Sequence, residues 1–406
     1  KTARLNRASF RIGTNFGSQN DITDLSAFRR VVSTKGLLIQ NTKATSLEGL
    51  NAVSAVTDTE LAIRYNELLT DITALSNVTE APALSISQNN SLTSLQGLHN
   101  IQTVTEYAEI LQHAQLPNLH GLDNLTSIRG HLQIRLNNVL TSLSGLDNLE
   151  KTGGLKIQSN NSLTSLEGIN GLTEMDFIDS DNSSLVIAYN PLLTSIEALD
   201  NLTNIGGMSI DISSNASLSS LSGIGNINPE TINGLWLLSS QQLSLCNVPS
   251  ICEYLSNGGS ADISENAVGC NSVAEVQLFC EGFSGCPEGN VSLLTQADID
   301  LFSAQYPTCT TILGNLFIGT ESGISDISDL SGLQNITNVT GFVSVVNTSR
   351  NDLNGFNTLS AIGSDLIISG NAELQNIQAL SNLTGIGFSQ IIIENNNSLT
   401  SLSGLD

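Results

Sequence analysis

The chain has 406 residues, enough for two or three ordinary domains, and carries 14 basic against 38 acidic residues, a formal charge of −24. That balance argues against DNA, RNA or an anionic membrane as the main partner, because each of these needs a basic surface. Hydrophobic residues make up 40% and charged residues only 13%, so the chain can build a core and differs from an acidic disordered segment. No stretch of about 18 apolar residues marks a membrane-spanning helix, so no insertion is expected. No signal peptide opens the sequence, so any export signal is expected to have been removed or to lie outside it.

A repeat runs through most of the chain. Leu84-Ser-Ile-Ser-Gln-Asn-Asn-Ser-Leu-Thr-Ser-Leu-Gln-Gly-Leu98 is nearly repeated by Leu155-Lys-Ile-Gln-Ser-Asn-Asn-Ser-Leu-Thr-Ser-Leu-Glu-Gly-Ile169. With the second apolar residue of each L-x-I unit as zero, the series is Leu38, Ile63, Ile86, Ile110, Ile134, Ile157, Ile187, Ile212 and Leu237. A second series runs Ile318, Val345, Ile368 and Ile393. Alternation within L-x-I predicts a short strand, and the three-residue period after it (Leu92, Leu95, Leu98, Ile101, Val104) predicts extended chain turning corners around a narrow core. The expected fold is an all-β solenoid in which each strand pairs in parallel with the next, since no coil buries its apolar face alone.

Polar columns support that reading. Three residues after zero stand Asn41, Asn66, Asn89, His113, Asn137, Asn160, Asn190, Asn215 and Ser240, then Asn371 and Asn396. Asn tolerates the left-handed conformation of a tight corner, and stacked amides can hydrogen-bond from coil to coil, so the column reads as a structural ladder. A second Asn column includes Asn77, Asn100, Asn124, Asn148, Asn201, Asn226 and Asn382, and glycine recurs at Gly97, Gly121, Gly145 and Gly168, where the backbone must bend.

Near residue 245 the register breaks and all six cysteines appear, between Cys246 and Cys309. An even, clustered set suggests disulfides and an oxidising compartment, with 15 connectivities open. Pro249 to Leu255 suits a short helix, Ser272-Val-Ala-Glu275 is a capping-box pattern before Val276 to Cys280, and Thr295-Gln-Ala-Asp298 is a looser version leading into Ile299, Leu301 and Phe302.

The run Cys286-Pro, an amphipathic helix, then Tyr306-Pro-Thr-Cys309-Thr-Thr-Ile-Leu-Gly-Asn-Leu-Phe-Ile318 resembles the opening of a receptor L domain, the ligand-binding domain of the insulin and epidermal growth factor receptors. Leu245-Cys246-Asn-Val resembles the way such a domain ends. The resemblance implies two tandem right-handed parallel β-helix domains, leucine-rich-repeat-like, with short helical, disulfide-bonded caps: residues 1–285, and residues 286–406 broken off mid-coil. It further implies the pairs Cys246–Cys270, Cys252–Cys280 and Cys286–Cys309. The cysteine-rich region that separates the tandem domains of those receptors is absent, and the regular coils are similar to repetitive surface proteins of Bacteroidetes bacteria.

Catalytic chemistry is not legible. The four histidines occupy different positions of their coils, and no HExxH, GxSxG, P-loop or CxxC motif occurs. An insertion with Asp176, Asp179 and Asp181 could supply oxygen ligands to Ca²⁺ or simply be a solvated loop; no other cofactor is implied. Eight of the 14 basic residues fall within the first 43, leaving 6 − 36 = −30 for the rest, a polarity that could favour contact with a neighbouring subunit. The expectation is therefore a non-enzymatic, secreted, extracellular or cell-surface module of a large adhesin or surface filament. Its partner would be a protein or glycan on another cell, or neighbouring subunits in a homo-oligomer. A receptor ectodomain for a peptide or protein ligand is the alternative.

Overall fold

The computed structural model describes residues 8–14, 21–175, 184–267, 269–280, 286–287, 289–387 and 390–405. It divides into two compact units, residues 1–280 and 281–406.

In the first unit the alternating apolar segments form a parallel sheet. Its principal strands, in chain order and in spatial order alike, are β1 (Ser9–Gly13), β2 (Gly36–Gln40), β3 (Glu60–Arg64), β4 (Ala83–Ser87), β5 (Ala108–Leu111), β6 (Ser127–Arg135), β7 (Lys151–Gln158), β8 (Ser184–Ala188), β9 (Met208–Ser213), β10 (Ile232–Leu238) and β11 (Ala261–Ser264). The pairing stacks Ile39, Ile63, Ile86, Ile110, Ile134, Ile157, Ile187 and Ile212 in one inward column, all of them fully buried. Each such side chain stabilises the stack by about 2 kcal/mol of removed apolar surface.

The three-residue period has a hydrogen-bonding cause. Leu92 N–H donates to the Asn89 carbonyl, Leu98 to that of Leu95, and Ile101 to that of Leu98. Leu92, Leu98 and Ile101 thus each close a turn on the residue three before, Leu95 N–H donates instead to the His120 carbonyl of the next coil, and Leu92, Leu95, Leu98, Ile101 and Val104 line the core. Gly121 lies at φ 117°, where a Cβ would sit 2.1 Å from the Leu95 carbonyl of the preceding coil. Where Ala74, Ala198 and Gly223 stand in this column, the chain takes the 3-10 turns Thr73–Leu75, Glu197–Leu199 and Ser222–Ile224 instead.

The ladder is present with two corrections. Ile39, not Leu38, pairs with Ile63, because in the run Leu37-Leu38-Ile39 it is Leu37 and Ile39 that alternate inward. Thr42 consequently stands in the column and Asn41 does not; Asn41 instead turns the corner at φ 50° and donates to the Thr14 carbonyl at 3.0 Å. The second correction concerns conformation. The left-handed residue is the one before each rung (Tyr65, Gln88, Gln112, Leu136, Ser159, Tyr189, Ser214), so Asn serves through its amide and not through its backbone. Asn89 shows the pattern: its Oδ1 accepts from Asn66 N at 3.1 Å and its Nδ2 donates to the Ile63 carbonyl at 2.8 Å. Asn66, Asn89, Asn137, Asn160, Asn190 and Asn215 are all fully buried. The second column is exposed and simpler, as in Asn124 Nδ2 to the His99 carbonyl at 2.7 Å and Asn148 Nδ2 to that of Asp123 at 2.6 Å.

At the end of this unit helix α1 (Pro249–Ser256) and helix α2 (Val273–Cys280) flank β11. Cys246 is bonded to Cys270 and Cys252 to Cys280, with Cα atoms 5.6 and 5.3 Å apart. The Ser272 hydroxyl accepts from Glu275 N at 3.1 Å, while the Glu275 carboxylate takes the N–H groups of Gly269 and Asn271. Strand β11 continues the solenoid into the segment read as cap: Ile263 pairs with Leu237, and Asn266 accepts the Ser240 N–H as one more rung.

The second unit repeats the scheme with β12 (Val291–Leu293), β13 (Leu316–Gly319), β14 (Val343–Val346), β15 (Leu366–Ser369) and β16 (Ile391–Glu394), again parallel. Helix α3 (Gln296–Gln305) begins with a capping box between Thr295 and Asp298 and buries Ile299 and Phe302. Cys286 is bonded to Cys309, Cα atoms 4.6 Å apart. Asn371 and Asn396 form rungs here, Asn371 accepting from Thr348 N and Asn396 from Asn371 N.

Candidate binding face

Each strand of the first unit turns three residues outward, and the register stacks them in columns. One column reads Glu60, Ala83, Tyr107, His131, Gly154, Ser184, Ser209 and Gly234; the next Ala62, Ser85, Glu109, Gln133, Lys156, Val186, Asp211 and Trp236; the third Arg64, Ser87, Leu111, Arg135, Gln158 and Ala188. Unlike the inward Leu/Ile column and the Asn ladder, these positions do not repeat.

Across β3 to β6 the outward side chains form one network. Arg64 pairs with Glu60 at 2.5 Å and donates from Nε to Ser85 Oγ at 3.0 Å; Ser85 in turn donates to Glu109 at 3.3 Å. Tyr107 donates its hydroxyl to Glu60 at 2.9 Å and stacks on the His131 ring, centroids 5.6 Å apart and planes 9° from parallel. His131 Nε2 lies 3.8 Å from Glu109. Burial, then the bond to the Glu60 carboxylate, push the Tyr107 phenol up to about 12. The His131 contact holds Glu109 below the usual carboxylate range despite its partial burial. Half-burial alone lowers Lys156. Toward the other end of the sheet Trp236 is 41% exposed, its ring lying over Gly234, where a Cβ would meet the ring at 2.7 Å. Such a preformed, mixed aromatic and polar surface can bind by shape and charge without covalent chemistry.

The ladder's one imidazole is part of the architecture. His113 sits in a rung with ring nitrogens 3.1 Å from the Ile86 carbonyl and 3.3 Å from that of Asn89, and burial lowers its pKa. Asp176, Asp179 and Asp181 lie outside the described residues. Among the described residues no cluster of three or more His, Cys, Asp or Glu could hold a metal. Asp123 and Asp147 accept the N–H groups of Gly121 and Gly145, at 2.7 and 2.8 Å. Sequence reasoning missed the Glu60–Arg64–Tyr107–Glu109–His131 network. The signal was there in the outward positions of successive repeats, once these are aligned by strand.

Against known proteins the second unit gives the decisive likeness. Residues 308–404 match the receptor L domain family. The matched receptor L domain segment runs from the residue before Cys309 through β13 to β16. No curated protein matches the chain. Among solved structures, an internalin from Listeria monocytogenes str. 4b F2365 is similar at 15% identity and a TM-score of 0.38, over 95% of this chain and 88% of that one. The TLR13–ssRNA13 complex is similar at 14% identity and a TM-score of 0.19, over 94% of this chain and 68% of that one. Neither likeness is close enough to bear on function.

Proposed function

We propose that the chain is a non-enzymatic extracellular binding and structural module of a secreted surface adhesin or filament, and that the outward face of β3 to β10 is its binding surface. One observation carries the reading. The repeat is strict wherever a side chain builds the solenoid and lapses on this face, where Tyr107, His131 and Trp236 stand with Arg64, Arg135 and Lys156. These are three of the six basic residues beyond residue 43. A purely mechanical rod has no need of such concentrated variety. Three disulfides and the receptor L domain match support an oxidising, extracellular setting. Binding of a protein or glycan on another cell by such a face needs no cofactor.

The test is adhesion of source cells to beads coated with the chain. Tyr107→Ala combined with Trp236→Ala should reduce capture at least tenfold while the chain stays folded by circular dichroism; equal capture by the double variant would remove this face from the function. The family match also favours a receptor ectodomain that takes a peptide or protein ligand. Immunogold labelling of source cells with an antibody to residues 38–250 separates the two: gold along appendages supports the adhesin, gold close to the envelope the receptor.

A further inference from the structure

We propose that a cavity on the outward side of the second unit's sheet binds the cationic side chain, lysine or arginine, of a basic segment in a protein partner. This site is separate from the face of β3 to β10 and goes beyond that reading. The cavity has a volume of about 480 Å³ and is lined chiefly by Leu294, Phe317, Phe342, Asn290, Asn315 and Glu321.

Its shape follows from the register. Phe317 points outward from β13 between Ser292 of β12 and Ser344 of β14, so small neighbours leave its flanks open. Phe342 stands just before β14, one strand along from Asn315. The two amides brace the wall: Asn290 Oδ1 accepts Asn315 N at 2.9 Å and Asn315 Oδ1 accepts Phe342 N at 3.0 Å. Glu321 occupies the position three residues past Ile318, where the ladder would place a buried amide. Here the chain departs from the ladder instead, through Gly319 at φ 101° and a turn closed by Thr320 Oγ1 donating to the Gly323 carbonyl at 2.9 Å. The departure leaves Glu321 exposed beside the two rings.

Charge selects the ligand. Residues 281–406 contain 12 acidic residues and one basic residue, Arg350, so the unit carries 1 − 12 = −11. Arg350 is itself paired with Asp352 at 2.5 Å. The field of such a unit draws cations and repels anions. Aromatic faces attract a cation directly, most strongly when water is excluded, and the carboxylate at the rim supplies its counter-charge. A neutral sugar would use the rings and gain nothing from the field; an aliphatic side chain would leave Glu321 without a role. The volume exceeds that of one side chain, which leaves room for the flanking residues of an extended segment.

The experiment uses the intact chain and a fluorescein-labelled peptide of alternating glycine and arginine, followed by anisotropy at low salt. Its counterpart carries citrulline, which keeps the shape and removes the charge. The wild type should bind the arginine peptide at least tenfold tighter than the citrulline one. Phe317→Ala and Glu321→Gln should each weaken binding threefold or more, while Glu373→Gln, an exposed acid outside the cavity, should change nothing. Because Glu321 is exposed, E321Q gives a reading even if F317A misfolds. Equal binding of the citrulline peptide, or equal losses from E321Q and E373Q, would overturn the proposal. Phe317-dependent binding of a neutral oligosaccharide in place of the peptide would reassign the cavity to glycans.

Discussion

Replacing Asn160 by alanine tests the ladder at its centre. The Asn160 amide is fully buried; its Oδ1 accepts from Asn137 N at 3.1 Å and Asn137 Nδ2 at 3.3 Å, and its Nδ2 donates to the Ile134 carbonyl at 3.0 Å. Alanine leaves the Asn137 N–H and the Ile134 carbonyl without these partners, at about 1–3 kcal/mol for each buried group. The expected loss is therefore about 2–6 kcal/mol. Asn148→Ala is the internal comparison: its amide also bridges two coils, to the Asp123 carbonyl, but in contact with solvent that can replace it. There the loss should stay within about 0.5 kcal/mol, as is usual for surface positions. Guanidinium unfolding of the intact chain reads both, because the sole tryptophan, Trp236, lies in the first unit and its fluorescence reports that unit alone. A loss below about 1 kcal/mol for Asn160→Ala, or equal losses at the two sites, would refute the reasoning that buried amide satisfaction holds the coils together.

Three further outcomes are expected. Gly121→Ala should lower the unfolding midpoint far more than Gly207→Ala: both glycines have positive φ, but the new Cβ meets the Leu95 carbonyl at the first and open space at the second. Spectrophotometric titration should show one phenol ionising only near pH 12 and lost in Tyr107→Phe. Because the folded value lies above the ordinary value of about 10, the associated stability is full below pH 10 and disappears as pH rises toward 12. His113 has the opposite sign: burial depresses its folded pKa, so stability is full above its unfolded value of about 6.5 and is lost as pH falls below it. In His113→Asn the unfolding midpoint should therefore fall less between pH 7.5 and pH 5 than in the wild type.

Periodicity made the coils legible because burial imposes the same requirement on every repeat. A Leu or Ile at most inward positions and an amide at most rungs leave a pattern that needs no partner to be read. The helix beginning at Gln296 was equally plain, since Thr295 and Asp298 cap it locally. Register failed at Leu37-Leu38-Ile39, where three apolar residues in a row offer two alternations and only pairing with β3 chooses between them. Strands β1, β11 and β12 were missed because each lacks part of the motif; β11 has Ala261 in place of leucine and lies among the cysteines. The outward network was hidden for a different reason. Glu60 and Tyr107 are 47 residues apart in sequence and meet only because the Ala83 side chain between their strands is small.

The ladder also fixes how the first unit would answer to force. Its bonds join residues about one coil apart, such as His113 to Asn137 across 24 residues, and they run from coil to coil along the stack. Tension on the two ends of the stack would load the rungs at one end first and peel coils off in turn. Each freed coil would release about 80 Å of chain, at roughly 3.5 Å for each of its residues. The coil closed by Cys246 and Cys270 would not pay out, because its disulfide spans the same 24 residues. Under load the unit would lengthen in steps and stop at its cross-linked end, which suits a tether that must yield without parting.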